Sequence, residues 1–165
     1  MYVKSKKADR SEQTRRVLLD VGQRLFAERG FAATGTEEIV RQAGVTRGAL
    51  YYHFKDKQDL FRAVVEDMQQ QGMARLGAAL RSIADPWQRL RTGMQAFLDG
   101  CLEPETRQIL LIDAPAVLGW AAWREIDSRY ALGALRMTLE AAAAAGQLDP
   151  QPLEPLAHLL LGALG

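Results

Sequence analysis

The stretch TRGALYYHFKDK, positions 46–57, concentrates side chains suited to holding a polyanion. Thr46, Arg47, Tyr51, Tyr52 and His53 can all hydrogen-bond to DNA, and Lys55 and Lys57 follow at once. The chemistry is recognition, not bond-making. The chain has no G-x-S-x-G, H-E-x-x-H, P-loop or glycine-rich dinucleotide fingerprint. His53 has no second ligand, acid or nucleophile near it in sequence, and the other histidine, His158, is distant. No metal site, cofactor or catalytic residue is therefore expected.

Residues of this kind need a rigid element to present them. Apolar positions Ile39 and Ala43 lie four apart, as do Leu50 and Phe54. That spacing predicts a short helix over 36–43 and a second over 46–53. Gly44 can stop the first helix in the left-handed conformation, and Thr46 can cap the second. Two short helices around a glycine turn form the helix-turn-helix pattern, whose second helix enters the major groove. A preceding helix over 11–29 carries Val17, Leu18, Val21, Leu25 and Phe26 at helical spacing and stops at Gly30, with Phe31 anchoring the next loop.

Charge supports the division. Residues 1–57 hold 12 Lys and Arg against 7 Asp and Glu, a net of +5, whereas residues 58–165 sum to −4. A basic third on an otherwise acidic chain suggests a polyanionic partner for that third alone, although a solvated surface gives the same signal. Cys101 is the single cysteine and cannot form an internal disulfide, so a reducing cytoplasm is the default compartment. No apolar run is long enough for a membrane span. The polar N-terminus, with Lys4, Lys6 and Lys7, reads as a mobile arm.

The remainder is helical in pattern. A long helix is expected over 57–82, and Asp85-Pro86 marks the start of another. Pro104 opens a further helix that Pro115 interrupts or kinks; others cover 123–145 and run from 153. The last is so apolar (Leu156, Leu159, Leu160, Leu161, Leu164) that it needs a partner, and the sequence reads as truncated at its C-terminal end.

Residues 25–61, LFAERGFAATGTEEIVRQAGVTRGALYYHFKDKQDLF, resemble the TetR/AcrR family of bacterial transcriptional regulators. The RGF turn, the AGV turn, G-x-LYYHF and K-x-K-x-x-LF carry the resemblance, and DAPAVLGWAAWREID at 113–127 is similar to one subgroup. It implies an all-α fold. A three-helix helix-turn-helix DNA-binding domain (1–57) would be joined by a long helix to a helical effector-binding and dimerisation domain (58–165). It also implies a homodimer formed through the last two helices, on a palindromic operator of double-stranded DNA. Carried onto this chain, the DNA-facing residues are Thr46, Arg47, Gly48, Ala49, Tyr51, Tyr52 and His53. Arg47 suits bidentate bonding to guanine O6 and N7. Gly48 and Ala49 allow close approach, and Ala49 can touch a thymine methyl. Tyr52 and His53 suit phosphates. Thr36 opens a helix whose amides and dipole favour phosphate, although Glu37 and Glu38 beside it repel one. Lys57 resembles the family's phosphate-binding lysine, with Lys55 assisting.

The second half of such proteins binds a small molecule that releases DNA, which implies a ligand-responsive repressor. An apolar or aromatic effector could be lined by Trp87, Met94, Phe97 and Cys101, with Leu111, Trp120 and Trp123. The same residues serve equally as ordinary helical core. Asp113 and Arg124 stand amid apolar residues as polar anchors, an ion pair or exposed charges. Competing readings are a helical protein-interaction module and a regulator that answers to a protein partner.

Overall fold

The computed structural model describes residues 6–164, with side chains from 8 to 162. Lys4 and the side chains of Lys6, Lys7 and Leu164 lie outside the described residues; of the N-terminal stretch read as a mobile arm, the part from Lys6 onward belongs to α1. Every regular element among the described residues is helical. In order these are α1 (Lys6–Ala33), α2 (Thr36–Ala43), α3 (Arg47–His53), α4 (Lys57–Leu80), α5 (Pro86–Leu102), α6 (Pro104–Thr106), a π-helical segment (Arg107–Asp113), α7 (Ala114–Leu118), α8 (Trp120–Ala144) and α9 (Leu153–Leu164).

These elements form two compact units, each drawn from two stretches of chain. The first holds residues up to Glu66 together with Pro104–Gly119; the second holds Asp67–Glu103 and residues from Trp120 onward. The N-terminal unit is built on aromatic packing. Phe26, Phe31 and Phe61 place their ring centroids 5.0–5.8 Å apart, two of the three pairs edge-on, as the ring quadrupole favours. Leu18, Leu25, Ile39, Leu50 and Leu60 are fully buried alongside them. Ile109 and Ala114 are buried too and bring the 104–119 stretch into the same unit. In the C-terminal unit Leu90, Leu139 and Ala157 form a buried cluster, against which Leu132, Leu153, Leu156 and Leu160 pack. Helix α9 thus finds its apolar partners on α5 and α8.

The helix ends follow local chemistry. α1 breaks at Gly30 (φ 75°, ψ 165°), a conformation that L side chains rarely adopt. Thr34, fully buried two residues before α2, donates its hydroxyl to Gly30 O at 2.8 Å. At the start of α5, Asp85 accepts from Gln88 N at 3.2 Å with Pro86 next, a side-chain cap followed by a residue that lacks the spare donor.

Two expectations are corrected. Pro115 lies inside an unbroken helical run, where the π-helical segment gives way to α7, and does not interrupt it. The break falls at Gly119 (φ 81°), and α8 begins at Trp120, three residues earlier than its periodicity suggests. The segment after Pro104 is mostly π-helical rather than α-helical.

Candidate nucleic-acid interface and effector cavity

The turn between α2 and α3 sets the interface. Gly44 takes the left-handed conformation (φ 64°, ψ 28°) and donates its N–H to Arg41 O, while Val45 N donates to Val40 O at 3.2 Å. This pairing satisfies carbonyls that the end of α2 leaves open. Thr46 then caps α3, its hydroxyl accepting from Ala49 N at 3.1 Å. Leu50 and Phe54 face the core, so the opposite face of α3 is turned outward.

That outward face carries the predicted residues. Tyr51 is 42% exposed and Tyr52 77%. Thr46, Arg47 and Gly48 are exposed, and Ala49 and His53 are half-buried. The Arg47 guanidinium lies 5.6 Å from the Tyr51 ring centroid and 4.0 Å from Glu37. Tyr52 and His53 meet edge to face at 5.0 Å. A surface groove joins Thr46, Ala49, Tyr52 and His53 to Arg10, Ser11 and Thr14 of α1. Those α1 residues were not legible as site residues, because their spacing on α1 says nothing of its proximity to α3.

Three further positions have roles that the sequence did not assign. Lys57 Nζ donates to Phe31 O at 2.8 Å and to Thr34 O at 2.9 Å, and lies 4.1 Å from the Phe31 ring centroid. Two of its three protons thus close the α1–α2 turn. Phe31 N, on the same residue, donates to Asp113 Oδ2 at 2.8 Å. Asp113 is therefore spent within the N-terminal unit and is not an effector anchor. Glu38 is held by Arg41, which keeps its carboxyl below the usual carboxylate range, with Gln42 adding to the effect. Its charge is thereby offset locally, while Glu37 stays exposed. Thr36 begins α2 behind Gly35, which supplies no side-chain cap, and Lys55 is exposed.

The C-terminal unit holds a cavity of about 90 Å³. Its walls come from α4 (Met73, Leu76), α5 (Gly93, Met94, Phe97), α8 (Ala131, Leu135) and α9 (Leu161). Two polar residues reach it, and both are occupied: Arg89 donates to Ile83 O, and Thr138 donates to Ala134 O at 2.9 Å. Of the seven predicted lining residues, the structure brings Met94 and Phe97 to the cavity. The other five lie outside its walls. Trp87 is 48% exposed on the first turn of α5, and Trp120 is 62% exposed at the start of α8. Trp123 is buried with its ring 4.8 Å from that of Trp120, outside the walls. Leu111 belongs to the N-terminal unit. Cys101 lies one turn beyond Phe97, and burial pushes its thiol pKa up.

Residues 18–64 match the bacterial regulatory proteins of the tetR family, and residues 87–165 match the tetracyclin repressor-like C-terminal domain. A solved TetR-family transcriptional regulator from Pectobacterium atrosepticum superposes with a TM-score of 0.85 at 35% identity, covering 98% of this chain and 81% of that one. The chain belongs to the TetR family of bacterial transcriptional regulators. It thereby joins a class of DNA-binding proteins rather than enzymes. The transcriptional regulator AcrR of Shigella flexneri is 38% identical over 102 residues, 61% of this chain and 47% of that protein. The transcriptional activator FasR of Mycolicibacterium smegmatis is 36% identical over 88 residues, 53% of this chain and 40% of that protein. The aligned part of this TetR-family chain thus spans less than half of either curated relative. No helix among the described residues is long and apolar enough to cross a membrane.

Proposed function

We propose that this chain is a ligand-responsive repressor that binds a palindromic operator as a homodimer and is released by a small apolar effector. Residues 1–57 would hold the DNA and residues 58–165 the effector and the second copy. The observation that carries the reading is the capped α3, whose outward face presents Arg47, Tyr51 and Tyr52 while Leu50 and Phe54 fix its seat. Arg47 would read a guanine, and Ala49 a thymine methyl. Lys55 and the uncapped amides at the start of α2, at Thr36, would hold phosphates. Lys57 has one proton left for a phosphate after closing the α1–α2 turn.

Dimerisation is supported by apolar side chains that the fold leaves outward on α8 and α9. Met137 is 69% exposed and Leu159 71%. Effector binding is supported by the apolar cavity. A ligand that favours a DNA-incompetent state would lower operator affinity by its differential free energy. Selection of duplexes from a random DNA pool, followed by a salt series on the best binder, tests the reading. A palindromic site with a steep negative salt slope supports it, and the slope counts phosphate contacts. No enrichment from this chain or from a C-terminally extended one would contradict it.

A further inference from the structure

Arg89 is the one charged residue in the cavity wall of the C-terminal unit, and no carboxylate lines that wall. It is half-buried near the start of α5. Its Nε and Nη2 both donate to Ile83 O, which engages one side of the guanidinium. That takes two of its five N–H groups. The terminal edge, where Nη1 and Nη2 each present a further N–H, meets no acceptor among the described residues, and no ion pair reaches Arg89 there. The carboxyl of Asp85, four residues back, accepts from Gln88 N and Gln147 Nε2 instead.

The rest of the wall offers an incoming polar group little. Thr138 has already given its hydroxyl proton to Ala134 O, so it donates nothing to the cavity. Met73, Met94, Phe97 and Leu161 supply hydrocarbon and sulfur. Arg89 stands at one end of the α5 contribution, and Phe97 lies eight residues on, about 12 Å along the helix axis. A cavity of about 90 Å³ is also smaller than the roughly 150 Å³ that accepts a benzene ring, which favours a short chain as the body of the ligand.

We propose that Arg89 is the specificity-determining residue of the effector site and that the effector is a short aliphatic carboxylate. The inference rests on reading the cavity as the effector site. The open edge of the guanidinium is a planar fork, the shape that takes a carboxylate through two parallel charge-assisted bonds. The chain then lies against the apolar wall. A cationic tip would meet an uncompensated positive charge and be rejected.

Calorimetry on the full chain with butanoate, 1-butanol and butylamine separates the outcomes, because the three share a chain and differ at the tip. Butanoate should bind about tenfold more tightly than 1-butanol, the scale of a bond between two charged groups over one to a neutral oxygen, and butylamine should not bind. In Arg89→Gln that preference should collapse while 1-butanol affinity stays unchanged. If this variant loses 1-butanol as well, Arg89→Lys decides, because it keeps the charge: butanoate still preferred supports the assignment, and no preference or no binding overturns it. Equal affinities in the wild type, or a preference that survives Arg89→Gln, overturn the assignment but leave the cavity reading standing. Butanoate that binds as expected without weakening the operator complex overturns the effector reading and leaves the Arg89 site standing. Failure of every probe to bind a chain that still holds its operator overturns both.

Discussion

The two units use their space in opposite ways. In the N-terminal unit three phenylalanine rings interlock at 5.0–5.8 Å, and the polar groups of the α1–α2 turn are tied by Lys57 and Asp113. In the C-terminal unit the small residues Ala131 and Ala134 stand in the walls, and a cavity of about 90 Å³ is left. A recognition surface works only if it is held in one geometry, so its support is packed full. Under the proposed function, the C-terminal unit needs room that only a ligand fills, so stability is given up there.

The largest effect expected from this contrast lies in the aromatic core. Phe61→Ala should cost about 3–5 kcal/mol in urea unfolding, and DNA binding should fail with it. A loss below about 1 kcal/mol would mean that the N-terminal unit is not the tightly packed one. Lys57→Met comes next. It keeps the aliphatic stem but removes two hydrogen bonds, so the free protein should lose about 1.5–3 kcal/mol. Lys55→Ala is its counterpart. It should leave stability unchanged and reduce the salt slope of operator binding by about 1. If Lys57→Met leaves the free protein as stable as before, Lys57 works on phosphate and not on the turn.

Filling the cavity should have the reverse sign. Ala131→Leu is expected to stabilise the chain by about 0.5–2 kcal/mol in urea unfolding. Destabilisation would show that the space is already used. A smaller effect concerns pH. Asp127 on α8 is 6% exposed, and burial raises its pKa, so the charge penalty is absent below the usual carboxylate pKa, grows as pH rises toward the raised value and is complete above it. Asp127→Asn should therefore raise the melting temperature at pH 7, and the gain should shrink as pH falls into the carboxylate range. A gain independent of pH would assign the effect to packing. Smallest is Glu37→Gln. Its exposed pair with Arg47 is separated by 4.0 Å, so stability should shift by less than about 1 kcal/mol. Operator affinity should rise modestly as repulsion of phosphate is removed.

The contrast also explains what could be read from sequence. Around α3 the signals are local: Gly44 ends a helix, Thr46 starts one, and Leu50 and Phe54 choose the buried face. Each is visible within a window of four residues. The roles of Lys57 and Asp113 were hidden because their partners lie 26 and 82 residues away. Large aromatic residues suggest a cavity lining in the sequence, yet empty space is made where side chains are small. Gly93, Ala131 and Ala134 line it, while Trp87 and Trp120 face outward. The burial of Asp127 is not legible in the sequence, because nothing in REID distinguishes a buried carboxylate from an exposed one.

The central claim is that the outward face of α3 reads bases, and the base-by-base binding profile of Arg47→Ala on the selected operator tests it most directly. Wild type and variant would be compared at one salt concentration on a duplex set with every position changed in turn. The account predicts that the variant loses its preference at one guanine in each half-site, worth about 1–3 kcal/mol there, and keeps the rest of its profile. A profile identical to wild type, or a uniform weakening at all positions as a phosphate contact would give, would contradict it.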